Sequence, residues 1–401
     1  MARLRTPAGQ ADPFPLYAEL REMGEVVPAP WGGHLVTSYD AANEVLRGKS
    51  WLVPDADWRA RQGADAVRWD RPAVHSLSRT LSGLNPPEHP RQRRALGNIF
   101  DRNTLAGLRG PVAKTVETLL DRLEEQLDAE GEADFVSLVS EELPVAALGH
   151  WMGIPEADQP LVRRLTHEHV YAGELLPTKS QLAISDDASD GLREYFLRLV
   201  RERRRNPADD ALSGWIRTWD ELEPDQEVAD ETLYYLAMFI SMASLETTST
   251  TLSTMLWLLD RNPSQHEWLR AHPEHVPDAV EETVRFDPPI HVISRIPAED
   301  TTLAGRSVSV DEVAHVLLGA AHHDPRRFDA AEEFDLRRSG PHLGFGGGVH
   351  YCIGSALARL EANVLLEALL RRFPRLRVSS PPSYASRVVF RRLTGMSVVR
   401  D

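Results

Sequence analysis

The only cysteine of the 401-residue chain, Cys352, lies in the run His342-Leu343-Gly344-Phe345-Gly346-Gly347-Gly348-Val349-His350-Tyr351-Cys352-Ile353-Gly354. A thiolate is a soft ligand well suited to iron, and it needs help to stay ionised in apolar surroundings. Glycines let successive backbone amides turn toward one sulfur without a clashing Cβ. The Ala/Leu-rich run that follows reads as a helix, whose start offers free N–H donors and a positive dipole end. These features suit a metal-bound thiolate tuned by hydrogen bonds. Two plainer readings stand beside it. Cys352 is a buried free cysteine near a flexible loop, or it is a nucleophile with His350 as its base.

A second chemical group sits in the longest apolar stretch, Thr232–Leu259, where Glu246 is flanked by Thr247, Thr248, Ser249, Thr250 and Thr251. A carboxylate there is costly in lipid, which argues for a buried functional helix and against a membrane span. An acid beside a hydroxyl can relay protons through water. The bland alternative is a core helix whose Ser and Thr hydroxyls bond back to its own carbonyls. Elsewhere, His89 and Arg93 stand four apart on a helix opened by Asn85-Pro86-Pro87, and Glu282 and Arg285 form an i,i+3 pair. Both are commonplace by themselves.

The pattern Phe-Gly-x-Gly-x-His-x-Cys-x-Gly, carried by Phe345, Gly346, Gly348, His350, Cys352 and Gly354, resembles the haem-binding loop of the cytochrome P-450 family. The resemblance extends from about residue 10 to the C-terminus and rests on four ordered motifs. It implies a mainly α protein with the cytochrome P-450 fold, a helical haem domain with a small β-rich lobe, and a single domain over 1–401. It implies heme b (iron protoporphyrin IX) with Cys352 as axial ligand. His89, Arg93, Arg295, His342 and His350 would bind the propionates, with Phe345 and Gly354 in the cofactor loop. Ala243-Ser244-Leu245-Glu246-Thr247-Thr248 resembles the family's oxygen-activating motif, with Ser244 where a Gly is usual. Glu246 would conduct protons and Thr247 would hold dioxygen and its water. Glu282 and Arg285, joined by Arg338, would form a structural ion network.

The activity implied is hydroxylation of a mostly apolar small molecule, a secondary metabolite, by O2 with electrons from a ferredoxin and its reductase. Substrate-lining positions by the family layout are Phe239, Met242, Ala243, Leu245, Ile290, His291, Val292, Ile293, Leu393 and Thr394, with His291 the polar contact. Arg91, Arg93, Arg94, Arg326, Arg327, Arg337, Arg338 and Arg359 cluster in sequence; Arg93 and Arg338 are expected on the haem or in the ion network, and the remainder read as a local positive patch for an acidic ferredoxin. Competing readings are epoxidation, oxidative coupling or peroxide-driven oxidation, a non-catalytic haem sensor or carrier, and a cysteine hydrolase.

Composition sets the outer bounds. A formal net charge of -15 and a pI near 5.5 argue against nucleic acid as a partner. One cysteine excludes an internal disulfide framework, which fits a reducing cytoplasm, and the first residues contain no apolar core for a signal peptide or anchor. We expect a cytoplasmic monomer with no membrane partner. Periodicity predicts helices over Phe14–Met23, Phe135–Met152, Pro155–Tyr171, Asp190–Arg204 and Ser355–Arg372, with a helix from Asn85 through Phe100. Trp51–Gly83 reads as a long loop, as does Gly173–Ala188. Short strands are expected at Val26–Ala29, Leu35–Thr37, Ile290–Ile296, Thr301–Leu303, Val308–Val310, Val313–Leu317, Val388–Phe390 and Ser397–Val399.

Overall fold

The structure is a computed structural model that describes residues 1–62, 70–97 and 99–400. The chain traces two compact units built from separated segments. One comprises Met1–Leu52, Val112–Leu143 and Glu246–Asp401, the other Val53–Pro111 and Pro144–Leu245. Helices dominate both, and the β-structure is confined to short strands.

The β-rich part of the first unit is a five-stranded sheet in the order Val26–Pro28, His34–Val36, Ala314–Leu317, Val292–Pro297, Trp51–Leu52. Only the pairing of His34–Val36 with Ala314–Leu317 is parallel. The helix Tyr39–Arg47 packs with this sheet, and its start follows from chemistry already visible in the sequence. The Ser38 hydroxyl accepts the Ala41 amide, satisfying one of the first-turn donors. Ala41, Ala42, Val45 and Leu46 then recur at helical spacing and are buried together. Fully burying Val45 or Leu46 contributes about 1.5–3 kcal/mol each.

The helix Gln226–Arg261 runs 36 residues. Leu233, Leu236, Ile240, Leu245, Leu252 and Leu259 are buried around it, as expected of a helix apolar on most sides. The Ser241 hydroxyl bonds back to the Ala237 carbonyl at 2.8 Å, and that of Thr251 to the Thr247 carbonyl at 2.9 Å. Among the described residues no helix is long and apolar enough to cross a membrane.

Several expected boundaries move. Trp51–Gly83 is not one loop: it contains a strand, Trp51–Leu52, and the helices Ala56–Arg61 and Pro72–Ser78. The former helix is capped by Asp55 and the latter opens on Pro72, signals that polar composition masked. The part of this stretch from 63 to 69 lies outside the described residues. The expected loop Gly173–Ala188 is mostly helix. Thr178 and Gln181 form a reciprocal capping box, so the helix Lys179–Arg205 starts eleven residues before Asp190. The helix expected to reach Phe100 spans only Glu88–Ala95, since Gly97 takes a left-handed φ of 62°; Asn98 lies outside the described residues. Val388–Phe390 forms no regular strand, only a bridge from Phe390 to Ile290, and the strand is Leu393–Gly395.

Candidate active site

The cysteine loop is held by its own backbone and by two histidines. The Cys352 amide donates to the Phe345 carbonyl at 2.9 Å, and the Gly346 amide to the Leu343 carbonyl at 2.8 Å. Gly346 and Gly348 take left-handed φ values of 71° and 61°. A Cβ on Gly348 would fall 2.7 Å from the Leu46 carbonyl, so this turn requires glycine for space as well as for φ. Nε2 of the buried His322 accepts the Leu343 amide at 2.9 Å. Burial pushes the His322 pKa well below its ordinary value, which keeps that nitrogen available as an acceptor. The helix Ser355–Arg372 begins three residues past Cys352, a partly exposed residue.

His342 is held on both sides of its ring by the protein. Its Nδ1 accepts the Gly344 amide at 3.0 Å and its Nε2 meets the Glu281 carboxylate at 3.1 Å. With both ring nitrogens engaged inside the protein, His342 braces the loop. His350 closes the short turn Gly348–His350, two residues before the sulfur.

Arg295 is suited to an anionic group. Its residue is 8% exposed, and among the described residues its guanidinium makes one hydrogen bond, at 2.9 Å to the carbonyl of its neighbour Ser294. No carboxylate pairs with it among the described residues, and burial pushes its pKa down to about 10. A buried guanidinium without a counter-charge is expensive. An acidic cofactor group would relieve that cost, so the residues fit a haem propionate. In the other unit His89 is buried on the helix Glu88–Ala95, and Arg93, partly exposed, has no carboxylate partner among the described residues.

On the long helix Phe239, Ala243 and Thr247 recur every fourth residue and are all partly exposed, as is Ser244, although their neighbours are buried. They mark one open face. Met242 and Leu245 are buried off that face. Glu246 is 1% exposed and paired with Arg387, whose side chain is fully buried; Nε of Arg392 stands 3.9 Å from the same carboxylate. Arg392 itself bonds Glu141 at 2.6 Å. Nothing at Arg387 in the sequence announces this partner, because 141 residues separate it from Glu246.

Glu282, Arg285 and Arg338 are brought together. Arg285 clasps the Glu282 carboxylate at 2.7 and 2.8 Å, and Arg338 reaches it at 3.2 Å. The remaining guanidinium donors are used by carbonyls of the 322–333 segment: Arg285 on His322, Ala331 and Glu333, and Arg338 on Asp329, Ala330 and Glu333.

Among the expected substrate positions, His291 is buried, with Nδ1 2.8 Å from the Tyr17 hydroxyl and Nε2 3.0 Å from Asp287. Asp287 is also bound by Arg391 at 2.8 Å. Ile290 and Ile293 are partly exposed and Val292 is buried. Leu393 is buried as well, whereas Thr394 is exposed and shares its hydroxyl with Ser383 at 3.0 Å.

The expected positive patch is largely neutralised. Arg91 lies 3.5 Å from Glu88 and 3.7 Å from Glu223, Arg326 bonds Glu25 and Asp324, and Arg337 meets Asp335. Arg359 is clasped by Glu281, and Arg327 stacks over Tyr39.

Comparison with known proteins agrees with this geometry. The sequence model of the family "Cytochrome P450" matches residues 175–390. The chain is 32% identical to the cytochrome P450 monooxygenase PikC of Streptomyces venezuelae, over 93% of this chain and 86% of PikC. It is 31% identical to the mycinamicin IV hydroxylase/epoxidase of Micromonospora griseorubida, over 91% of this chain and 89% of that protein. Among solved structures, ligand-free CYP164A2 of Mycobacterium smegmatis superposes with a TM-score of 0.88 at 30% identity, covering 99% of this chain and 98% of that one. The chain belongs to the cytochrome P450 family, has its mainly α fold, and is an oxidoreductase of the P450 monooxygenase class. The family's cofactor is a haem held by a cysteine thiolate, and Cys352 is the only cysteine here.

Proposed function

We propose that this enzyme hydroxylates a mostly apolar small molecule, a secondary metabolite, by inserting one oxygen atom from O2 into a C–H bond. The observation that carries the reading is Arg295, a buried cation without a counter-charge among the described residues, in the same unit as the cysteine loop. Heme b is the cofactor that suits these residues. Cys352 would hold its iron, and His89, Arg93, Arg295 and His350 would bind its carboxylates, with Phe345 and Gly354 shaping the loop. When bound, the haem supplies oxygen cleavage and insertion, promoted by the thiolate.

The remaining work falls to the chain. The partly open face bearing Phe239, Ala243 and Thr247 presents substrate and a hydroxyl on one side of the long helix. Thr247 holds a water and passes a proton through it. A carboxylate paired with a guanidinium accepts hydrogen bonds and donates none. Glu246 therefore delivers a proton only after it has taken one up and left Arg387. Ser244 adds a second hydroxyl beside this relay, on the same partly open face.

Epoxidation is the second reading. It needs no other residues, only an alkene in place of the C–H bond, and the Micromonospora relative is named for both reactions. Electrons come from a ferredoxin and its reductase, the enzyme works as a cytoplasmic monomer, and residues 1–401 form one haem domain. Two observations support parts of this reading: the units are discontinuous in sequence, and the single cysteine suits a reducing compartment.

The test is spectroscopic. Cys352→Ala should abolish the red-shifted band of the reduced carbon-monoxide complex, and retention of that band would refute the loop assignment. A ligand screen on the ferric protein should find apolar metabolites that displace bound water, and product analysis of the hits separates hydroxylation from epoxidation.

A further inference from the structure

Phe345 lies directly against the sulfur's backbone, since its carbonyl accepts the Cys352 amide at 2.9 Å. Its ring lies under a charge. The Arg359 guanidinium carbon stands 4.1 Å from the ring centroid, within the range of a cation–π contact. Arg359 does not hold that position by itself. Its Nε and a terminal nitrogen clasp the Glu281 carboxylate at 2.6 and 2.8 Å, a fork geometry that fixes the plane of the guanidinium. Glu281 is held in turn by His342 at 3.1 Å, and the His342 ring lies 5.8 Å from Phe345. Four side chains from three segments thus form a closed ring: Glu281 from the helix Val276–Phe286, Arg359 from Ser355–Arg372, and His342 and Phe345 from the loop.

The pair is charged at any working pH. Burial alone would raise the Glu281 pKa, but hydrogen bonds from Arg359 and His342 outweigh it and hold the carboxyl at about 2. The Arg359 pKa is raised, chiefly by its hydrogen bond to Glu281. Side-chain exposures of 31% for Arg359 and 39% for Glu281 leave the outer edge of the pair wet. A pair so exposed contributes little to stability, yet its cation is aimed at the loop that carries the thiolate.

We propose that Arg359 is a positioning residue that sets the reduction potential of the cysteine-ligated iron, with Glu281 as its counterweight. The proposal rests on the haem-thiolate reading of Cys352. Adding an electron to the ferric site makes it more negative, so a nearby fixed positive charge favours the ferrous form and a nearby negative charge opposes it. Fixing Arg359 over Phe345 holds the positive charge beside the loop, while Glu281 offsets part of it.

The two halves of the ion pair must therefore act with opposite sign. Arg359→Gln should lower the ferrous-to-ferric ratio at fixed solution potential by about threefold or more, and Glu281→Gln should raise it by a similar factor. The double variant should return toward the parent value, and Arg359→Lys, which keeps the charge without the fork, should stay closer to the parent than Arg359→Gln. The measurement is a potentiometric titration of the haem-loaded protein, with the carbon-monoxide band recorded in parallel. A purely structural pair would move both singles the same way, or would shift the band and leave the potential alone; either result overturns the proposal. Should Arg359→Gln fail to take up haem, Glu281→Gln and Arg359→Lys still decide it by the sign and size of their shifts. A parent protein without the thiolate band would instead refute the haem-thiolate reading.

Discussion

Two carboxylate–arginine pairs of the first unit, Glu281–Arg359 and Glu246–Arg387, use the same chemistry in opposite surroundings. Glu281–Arg359 is about one-third exposed, whereas neither side chain of Glu246–Arg387 exceeds 1% exposure. Water screens the first, so removing one partner costs little stability and changes mainly the local field. The second is stripped of water, so removing one partner takes the main compensation from a charge that stays buried. Burial separates a pair that can be tuned from a pair that must be kept or exchanged as a unit. The same rule sets Glu282–Arg285, with both side chains 2% exposed, among the pairs that hold the fold.

The harshest way to probe this contrast is at Glu282. Glu282→Ala should destabilise the protein by about 3–5 kcal/mol, because Arg285 and Arg338 would then be buried without their carboxylate. Thermal unfolding and the yield of haem-loaded protein measure it. A loss below that of Glu281→Ala would break the comparison.

Next comes the relay pair. Arg387→Met takes from Glu246 its nearest counter-charge and should cost about 3 kcal/mol, while Glu246→Gln, which keeps a polar group opposite Arg387, should cost less. Glu246→Gln and Thr247→Ala should instead uncouple turnover, with reductant still consumed and peroxide formed in place of product. Unchanged coupling in both would move the relay to Ser244.

Acid should unfold the protein in two stages. Burial pushes the His323 pKa down to about 3 and that of His169 to about 4. Both folded values lie below the unfolded value near 6.5, so their contribution is complete above that pH and is lost as pH falls toward 3–4. Asp287 follows. Its burial would raise the pKa, but Arg391 and His291 hold it at about 2 against 3.8 when unfolded. Its contribution, on the order of 2 kcal/mol, is lost between about pH 4 and 2. Denaturant midpoints across pH should therefore decline from about pH 6.5 and fall faster below 4. Asp287→Asn should flatten only the lower limb.

The smallest effects belong to the outermost arginines. Reversing Arg91, Arg94 and Arg327 to Glu should slow reduction by a ferredoxin at low ionic strength and leave the potential and the carbon-monoxide band unchanged. Since Arg91 already faces Glu88 and Glu223, the slowing should be modest. A shift in potential from this variant would mean that distant charge, and not Arg359 in particular, sets it.

Chemistry that depends on neighbours in sequence was legible without coordinates. The cysteine loop, the cap at Ser38, the helix Ser355–Arg372 and the Glu282–Arg285 pair all arise from spacings of a few residues, and such spacings fix local geometry. The capping box at Thr178–Gln181 was equally present, but the polar residues after it read as loop because the apolar stripe begins later. Tertiary packing decided the partners. His291 and His342 have the side chains of ligand contacts, yet each spends both ring nitrogens on the protein. Tyr17 lies 274 residues from the first, and Glu281 lies 61 residues from the second. Arg387 reaches Glu246 across 141 residues and Arg359 reaches Glu281 across 78. Side-chain type states what a group can bond, and local spacing states which way its element runs. Which long-range partner it meets, and whether water is there to screen them, depends on how distant elements pack, and no short-range pattern records that.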